Sequence, residues 1–333
     1  MRKKFKIWKV LLVIITLILL FIGYRIYKFN SIGSKVEFFQ MNSNENSKFI
    51  GVLSNNYYKV ENDKFYAFNV NNEKLFEKEA KEIVNIIYDK YIYLIDKNGL
   101  VQKIDRFSGK EKNQQKLEII PTKMEYINNN LIIYSDNSIT ILSNKLEIKD
   151  EIKGLNSPVS FSINNNKYSV IELGFQDGKI YSKFNIINNK NKEFSLISNE
   201  EVFLKTKIIG ENTLLFSTRQ IYLINGNSII KTTPLIDISA IDISKDKIAV
   251  ADSQVLRVYD FELNEIINKE VFMDVDKLSI LKNTIVLLSK DKIKVLENGN
   301  LIEENIENVI DSYSKNNEFY LITNNKIQKI KAY

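Results

Sequence analysis

The chain has 333 residues, a formal net charge of +6, and neither Cys nor His. These absences exclude disulfide bonds, thiol nucleophiles, Ser-His-Asp triads and ordinary catalytic zinc sites. Eight cationic residues precede the first acidic residue, Glu37, so residues 36–333 carry a net charge of about −2 and lack the basic character of a nucleic-acid-binding protein.

The first predicted element is a transmembrane helix at residues 10–27. Its central part, Val10–Tyr24, contains no charged residue. As a helix, Ile7–Tyr27 would be about 31 Å long, which is enough to cross the hydrocarbon core of a bilayer. We therefore expect a short basic cytoplasmic segment at residues 1–9 and a linker at residues 28–35.

The charges that flank this helix predict its orientation. Five cations precede the apolar run, whereas Arg25, Lys28 and Lys35 are the only cations between the run and the first acid. By the positive-inside rule, the N-terminus lies in the cytoplasm and residues 30–333 lie outside it. The alternative is a cleaved signal peptide, but bulky and charged residues, Tyr24–Phe29, stand where a cleavage site needs small ones. The sequence therefore favours an uncleaved anchor in the cell membrane.

After residue 35 the pattern is that of an all-β domain. No window has sustained helical periodicity, and short apolar runs alternate with turn residues instead. A run that is apolar on both faces recurs, and an alternating partner strand follows it about eight residues later across a turn rich in Asp, Asn and Gly. The doubly apolar runs are centred near residues 58, 93, 133, 170, 215, 249, 286 and 321.

A moderate strand precedes each pair and a polar strand follows it, so the repeat has four strands and a period of roughly 34 to 45 residues, which is typical of β-propeller blades. Neighbouring blades cover the middle strands of a blade on both faces, whereas the outermost strand is a solvated edge. The pattern predicts eight blades over residues 36–333, with seven as the alternative; tandem sandwiches would not repeat one four-stranded unit at this period. The last unit stops after its third strand, so we expect Val36–Gln40 to complete the C-terminal blade. The unit at residues 155–199 is the least regular, and Asn188–Lys192 is predicted to be an extended hairpin tip.

Three predicted turns resemble those of quinoprotein-like propeller repeats. Asp105–Lys110 matches the D-x-x-[ST]-G-K turn of these repeats, and Asn69–Lys74 and Asp260–Glu265 look like degenerate copies. With its predicted anchor, the chain resembles the membrane-anchored quinoprotein-like (PQQ-type and WD40-like) β-propellers of Gram-positive bacteria. The resemblance implies the propeller fold and a place in the bacterial cell envelope.

The chain departs from that resemblance at the residues that would accompany a cofactor. In quinoprotein repeats a Trp follows three residues after the Lys and docks between blades, but here those positions are Glu77, Asn113 and Asn268. The only Trp is Trp8, in the predicted anchor, and the cysteine pair found near the cofactor in many quinoprotein dehydrogenases is absent. The resemblance therefore implies the fold without the cofactor, and we expect no cofactor.

Two groups of carboxylates raise the question of a catalytic or metal site. Asp274 and Asp276 would share one face of a strand and could hold a cation, but their place between repeats favours a blade-entry turn. Asp237, Asp242 and Asp246 suggest the paired acids of glycoside hydrolysis, but spacing along one segment says little about separation across a propeller. We therefore predict no catalytic residue and no metal site.

Arginine is rare after the anchor, where Arg106, Arg219 and Arg257 are the only three. Arg binds carboxylates and phosphates through two parallel hydrogen bonds. Arg219 and Arg257, which open or occupy third strands of their repeats, are therefore the candidate binding residues. A solvated strand edge is the alternative explanation for both.

The sequence thus predicts a membrane-tethered, extracytoplasmic and non-enzymatic propeller that binds a protein partner in the cell envelope. One alternative is an enzyme, either a degenerate quinoprotein or a carboxylate-based hydrolase. Another is a sensor that binds a small ligand. The predicted cytoplasmic segment is too short to hold a signalling domain, so such a sensor would need a membrane partner.

Overall fold

The computed structural model describes residues 35–40, 47–53, 56–176, 178–315, 317–323 and 326–331. In these ranges the chain forms 32 β-strands, and no helix there is long and apolar enough to cross a membrane. The predicted cytoplasmic segment and transmembrane helix, with the linker up to residue 34, lie outside the described residues.

The strands form eight sheets of four antiparallel strands, which we call blades 1 to 8. The chain begins with β1 (Lys35–Gln40), which belongs to blade 8. Blade 1 consists of β2 (Lys48–Leu53), β3 (Asn56–Glu61), β4 (Lys64–Asn69) and β5 (Lys74–Glu79). Blade 2 consists of β6 (Ile83–Tyr88), β7 (Ile92–Asp96), β8 (Leu100–Ile104) and β9 (Glu111–Lys116). Blade 3 consists of β10 (Lys123–Ile127), β11 (Asn130–Tyr134), β12 (Ser138–Ser143) and β13 (Ile148–Lys153).

The remaining blades follow in chain order. Blade 4 consists of β14 (Pro158–Asn164), β15 (Lys167–Gln176), β16 (Lys179–Asn188) and β17 (Asn191–Ser198). Blade 5 consists of β18 (Phe203–Ile209), β19 (Asn212–Ser217), β20 (Gln220–Asn225) and β21 (Ser228–Pro234). Blade 6 consists of β22 (Ile238–Ile243), β23 (Ile248–Asp252), β24 (Val255–Tyr259) and β25 (Glu265–Glu270). Blade 7 consists of β26 (Lys277–Leu281), β27 (Thr284–Leu288), β28 (Lys292–Glu297) and β29 (Asn300–Asn305), and blade 8 adds β30 (Val309–Lys315), β31 (Glu318–Thr323) and β32 (Lys326–Lys331) to β1.

The fold is the predicted all-β propeller, and it has eight blades rather than seven. The second strand of every blade lies on one of the eight predicted centres. First strands of consecutive blades contact each other, as β6 does with β2 and β10, so they surround the axis. The prediction succeeded because a strand that is covered on both faces needs an unbroken apolar run.

The last blade closes in the predicted way. β1 pairs with β32 in antiparallel register, with Val36 opposite Ile330 and Gln40 opposite Lys326. A strand from the start of the chain thus completes the sheet formed by its last three strands, and β1 begins at Lys35 beside the end of β32.

The apolar core is divided into eight clusters, one between each pair of neighbouring blades. In β11 all five residues are buried, whereas every residue of the outermost strand β9 is at least partly exposed. The eighth cluster joins Ile50 and Tyr57 of blade 1 to Ile322 and Ile327 of blade 8, which closes the ring. Every apolar cluster of the described residues joins two blades, so each blade is stabilised by the two beside it.

Lys and Asn side chains also link neighbouring blades, because they donate hydrogen bonds to backbone carbonyls of the next blade. These bonds join Lys103 Nζ to Asn144 O (2.7 Å), Asn128 Nδ2 to Ile163 O (2.7 Å), Lys167 Nζ to Glu211 O (3.0 Å) and Lys231 Nζ to Glu262 O (2.8 Å). Three of the four acceptors, Asn144, Glu211 and Glu262, lie in turns, where backbone carbonyls are not paired by the strand ladders of their own sheet.

Blade 4 departs from the prediction at its hairpins. β15 and β16 pair over ten residues each, and their extra length lies at the Gln176–Lys179 end. The predicted extended tip, Asn188–Lys192, is instead a tight turn in which Asn189 and Lys190 have positive φ angles of 49° and 67°. Asn tolerates this left-handed backbone, so the Asn-rich segment marked a short turn rather than a long excursion.

Candidate functional site

The loops leave the blades at two opposite ends, because successive strands of each blade are antiparallel. The upper face, as we call it, carries the loops from each blade to the next and the turns between second and third strands. Its described residues are 47, 62–63, 80–82, 97–99, 117–122, 135–137, 154–157, 178, 199–202, 218–219, 235–237, 253–254, 271–276, 289–291 and 306–308. The lower face carries the other turns, of which 70–73, 89–91, 105–110, 128–129, 144–147, 165–166, 189–190, 210–211, 226–227, 244–247, 260–264, 282–283, 298–299 and 317 are described.

Large apolar side chains are exposed at the upper face. They are Ile120, Ile236 and Phe272, in loops between blades, and Phe175 and Ile180, which pair at the end of the long blade-4 hairpin; each is between 57% and 78% exposed. Among the described turns of the lower face, only Val70 and Phe107 are large apolar residues exposed in this way. Single exposed apolar residues are ordinary, but their concentration on one face favours an interaction surface there.

The upper face is also acidic. Its described loops and turns hold eleven acidic and four basic residues, whereas those of the lower face hold eight of each. The eleven acids are Asp63, Glu82, Glu118, Asp136, Glu200, Glu201, Asp237, Asp274, Asp276, Asp291 and Glu307. All except Glu201 are exposed. An acidic surface with apolar side chains is complementary to a partner that is both basic and apolar.

The long hairpin of blade 4 is braced where it rises above the upper face. The Tyr181 ring lies over Gly174, so closely that a Cβ atom at position 174 would be 2.2 Å from the ring Cζ. Asn156 Nδ2 donates a 3.0 Å hydrogen bond to the Tyr181 hydroxyl. The buried Glu172 carboxylate accepts the Asn156 N–H at 2.9 Å and lies 3.2 Å from Lys183 Nζ. Phe175 and Ile180 are therefore presented on a supported projection.

A central channel lies between the first strands of the blades. It contains a cavity of about 550 Å³ lined by β6, β10, β14, β18 and β22. On its wall the Glu125 carboxylate lies 2.6 Å from Lys123 Nζ and accepts a 2.5 Å hydrogen bond from the Tyr134 hydroxyl. Burial, together with the negative charge of Glu125, holds the pKa of Tyr134 far above its ordinary value, so this hydroxyl stays a donor.

The two candidate arginines lie in different settings, and the structure does not bring them together into one site. Arg219 lies in the upper-face turn before β20, is exposed, and is 3.8 Å from the Glu200 carboxylate, which is a weak surface pair. Arg257, on β24, is 3.0 Å from both the Asp252 and Glu265 carboxylates. Asp252 is buried, so Arg257 stabilises a charge inside blade 6.

The carboxylates considered above do not form a shared site. Asp274 and Asp276 are exposed in the loop before β26, as the blade-entry turn predicts. Asp237 precedes β22 and Asp246 follows it, so they are separated by a six-residue strand of about 20 Å. Between them, the Asp242 carboxylate accepts the Ile280 N–H of blade 7 at 2.8 Å. Among the described residues, no group of three or more acidic residues is placed to hold a metal ion.

The quinoprotein-like turns are structural. The Asp105 carboxylate accepts hydrogen bonds from the backbone and hydroxyl of Ser108, both at 2.9 Å, and these bonds lower the pKa of Asp105. The carbonyl of Arg106 in the same turn accepts a 3.0 Å hydrogen bond from the Tyr58 hydroxyl of blade 1. In the degenerate copies, Asn69 and Asp260 bind their own turns in the same manner. The motif therefore stabilises its own turn, and in Asp105–Lys110 it also joins two neighbouring blades.

Sequence reasoning missed the apolar residues of the upper face. Each is a single apolar residue in a polar loop, so none contributes to a periodic pattern. A usable signal was the proximity of an apolar and an acidic residue within one predicted loop, as in Ile236 beside Asp237 or Phe272 near Asp274.

No protein-family model matches the chain, and no curated protein matches it. Solved structures do match its fold. Sqt1 from Saccharomyces cerevisiae is 11% identical with a TM-score of 0.63, covering 90% of this chain and 99% of its own. BamB from Moraxella catarrhalis is 8% identical with a TM-score of 0.58, covering 89% and 100%. The Pan2 WD40 domain from Neurospora crassa is 11% identical with a TM-score of 0.52, covering 75% and 89%. These likenesses confirm the β-propeller fold.

Proposed function

We propose that this chain is a single-pass, membrane-tethered propeller that acts outside the cytoplasm as a non-enzymatic protein-binding scaffold of the cell envelope. The observation that carries the proposal is the upper face, where exposed apolar side chains stand among a large excess of acidic residues. Propellers of the WD40 type present this kind of loop surface on a rigid frame.

The partner that fits this surface is a protein segment with apolar and basic side chains. Apolar anchors such as Phe175 and Ile180 would supply most of the affinity, because burial of large side chains dominates interface energies. The surrounding carboxylates would steer a basic segment toward the face and select against acidic ones. The exposed Arg219, one of four basic residues there, is placed to bind a carboxylate of the partner.

The non-enzymatic part of the proposal rests on the chemistry that the chain lacks and on the use of its acids. Without His or Cys, carboxylates are the main groups left for acid–base catalysis. Asp274 and Asp276 are exposed in a loop, and Asp237 and Asp246 lie at opposite ends of β22. The Asp242 carboxylate accepts a backbone N–H of blade 7.

The direction of β1 supports an outward-facing upper face. Lys35 is opposite Lys331, so β1 begins at the lower face and runs toward the upper face. A linker of residues 28–34 spans at most about 25 Å when fully extended. If residues 10–27 cross the membrane, the lower face lies toward the bilayer and the upper face is open to a partner in the envelope.

Membrane topology is tested by thiol labelling, because the chain has no Cys of its own. We expect Phe175→Cys in intact cells to react with a membrane-impermeant maleimide, whereas Lys3→Cys reacts only after the cells are lysed. The reverse pattern would overturn the proposed orientation, and labelling at neither position in lysed cells would show that the chain is absent from the preparation.

Partner binding is tested by photocrosslinking from two faces. A benzophenone attached at Phe175→Cys should capture one protein reproducibly, and a benzophenone at Phe107→Cys, on the lower face, should not. With that protein purified, we expect Phe175→Asp/Ile180→Asp to weaken binding at least about tenfold, since a buried anchor contributes ~2 kcal/mol or more. The control Phe107→Asp should leave binding unchanged. Equal binding by both variants would reject the upper face as the docking surface.

A further inference from the structure

The central cavity has the size of a small-molecule site. At about 550 Å³ it falls within the range of ligand pockets. Much of its wall is apolar, from Ile87, Tyr126, Phe161, Leu204 and Ile243. The polar lining comes chiefly from β10, β14 and β18.

Two lysines on β18 converge on this cavity. Lys205 and Lys207 are two residues apart and therefore point to the same side of the strand, and both line the cavity. Thr206 between them also borders the cavity, but its buried hydroxyl donates to the Leu214 carbonyl at 3.1 Å. β18 thus places two ammonium groups on one side of the cavity.

The charge of the cavity is not balanced. Glu125 is the only acidic residue among the described residues that line it. Its carboxylate is 2.6 Å from a third lysine, Lys123, and accepts the hydrogen bond of the Tyr134 hydroxyl. Neither Lys205 nor Lys207 forms an ion pair with any described residue; Lys205 Nζ reaches only the Ile241 carbonyl, at 3.5 Å. Burial, and the like charge of Lys205, lower the pKa of Lys207. An anion in the cavity would remove this electrostatic cost.

Hydroxyl groups complete the setting. Ser160 Oγ accepts the Thr206 N–H at 3.2 Å, and Ser162 Oγ accepts the Ile208 N–H at 3.0 Å. With the oxygens occupied as acceptors, each hydroxyl keeps its proton to donate. Both serines line the cavity, so hydroxyl donors on β14 and ammonium groups on β18 face the same space.

We propose that the central channel binds a small organic anion, with its carboxylate or phosphate group held by Lys205, Lys207, Ser160 and Ser162 and its apolar part against the walls of the channel. This inference is independent of the proposed protein-binding role of the upper face. A ligand there would contact the first strands of blades 3, 4 and 5 at once, and so would stabilise their arrangement.

The test uses the full chain in detergent, with thermal unfolding and calorimetric titration against inorganic phosphate, citrate and, at matched ionic strength, chloride. We expect phosphate or citrate to raise the Tm and to bind, with chloride having no such effect; the difference between phosphate and citrate separates phosphate recognition from carboxylate recognition. Lys205→Gln/Lys207→Gln should reduce the affinity at least about tenfold. The matched control is Lys179→Gln/Lys190→Gln, which removes two exposed charges of blade 4.

Three results would overturn the proposal. The first is the absence of any effect of phosphate or citrate beyond that of chloride on the unaltered chain. The second is an equal response from the two double variants. The third is a Tm for ligand-free Lys205→Gln/Lys207→Gln below that of the control, because removal of two repelling charges should leave the fold equally stable or more stable.

Discussion

The Tyr313 hydroxyl donates a 2.7 Å hydrogen bond to the carbonyl oxygen of Val52, which is 261 positions earlier in the chain, and also accepts the Val52 N–H. Tyr313 lies in the first strand of blade 8 and Val52 in the first strand of blade 1. The Tyr313 hydroxyl therefore forms hydrogen bonds with both the N–H and the carbonyl of Val52, at the junction of the last blade with the first.

Replacement of this hydroxyl should weaken ring closure. In Tyr313→Phe the backbone groups of Val52 lose their partner, and we expect the free energy of unfolding to fall by about 1–3 kcal/mol. Chemical denaturation measures the change. The matched control is Tyr66→Phe, because the Tyr66 hydroxyl forms no hydrogen bond with any residue that the structure describes. Equal stability of the two variants would show that the Tyr313 bond does not contribute to closure.

The pairing of β1 with β32 predicts which engineered cysteines form a disulfide. Glu37 is opposite Lys329 and Phe38 is opposite Gln328. Adjacent residue pairs alternate between a hydrogen-bonded type and a closer, non-hydrogen-bonded type. Since a disulfide needs closely spaced Cβ atoms, at least one of the double variants Glu37→Cys/Lys329→Cys and Phe38→Cys/Gln328→Cys should form a disulfide. The off-register variant Glu37→Cys/Gln328→Cys puts its thiols on opposite faces and should stay reduced. A disulfide in the off-register variant alone, detected by mass spectrometry, would mean a shifted register.

Gly51 is required by the ring of Tyr88. A Cβ atom at position 51 would lie 2.2 Å from Cε2 of that ring, which the hydrogen bond from its hydroxyl to the Phe49 carbonyl holds in place. We expect Gly51→Ala to destabilise the domain by about 1–3 kcal/mol. In a Tyr88→Ala background the same substitution should cost much less, because the clash is gone. Additive losses in the double variant would contradict this account.

The raised pKa values of one buried and one half-buried tyrosine predict that the domain loses stability in alkali. Burial, with a hydrogen bond to Asp150, raises the pKa of Tyr168 to about 12, and burial raises the pKa of Tyr134 further. Tyrosines of the unfolded chain ionise near pH 10, so the unfolded state loses protons first. These groups therefore leave stability unchanged below about pH 10 and reduce it as the pH rises toward 12, by up to about 1.4 kcal/mol per pH unit for each tyrosine.

The measurement is phenolate absorbance recorded together with circular dichroism. Ionisation of the buried tyrosines and loss of the β-sheet signal should coincide, and Tyr134→Phe should have a shallower dependence of stability on pH above 10. The contribution of Tyr134 is the difference in phenolate absorbance between the unaltered chain and Tyr134→Phe. If that difference develops near pH 10 while the β-sheet signal is intact, the Tyr134 hydroxyl reaches solvent in the folded protein.

The sequence was sufficient to predict the blades because each second strand, such as β11, is buried on both faces and carries an unbroken apolar run. It also predicted that β1 completes blade 8, since the last repeat was one strand short. It misplaced the long hairpin of blade 4, because an Asn-rich segment is compatible with both a tight turn and an extended tip.

The candidate site was harder to predict because it depends on relations between distant loops. Ile120 and Phe272 share a face only after the strands between them are assembled in a ring. Lys205 and Lys207 look like the ordinary polar positions of an alternating strand, and their significance depends on which strand lines the axis. Arg257, chosen because arginine is rare, pairs with Asp252 and Glu265 within its own blade.

The direction of β1 also determines how the domain would respond to mechanical force. If the N-terminal segment is fixed in a membrane and a partner pulls on the upper face, the tension runs along β1, whose hydrogen bonds to β32 lie across that direction. All of those hydrogen bonds would then be loaded in shear at the same time, instead of breaking one after another. The pairing of β1 with β32 therefore resists the separation of β1 from the domain under such a force.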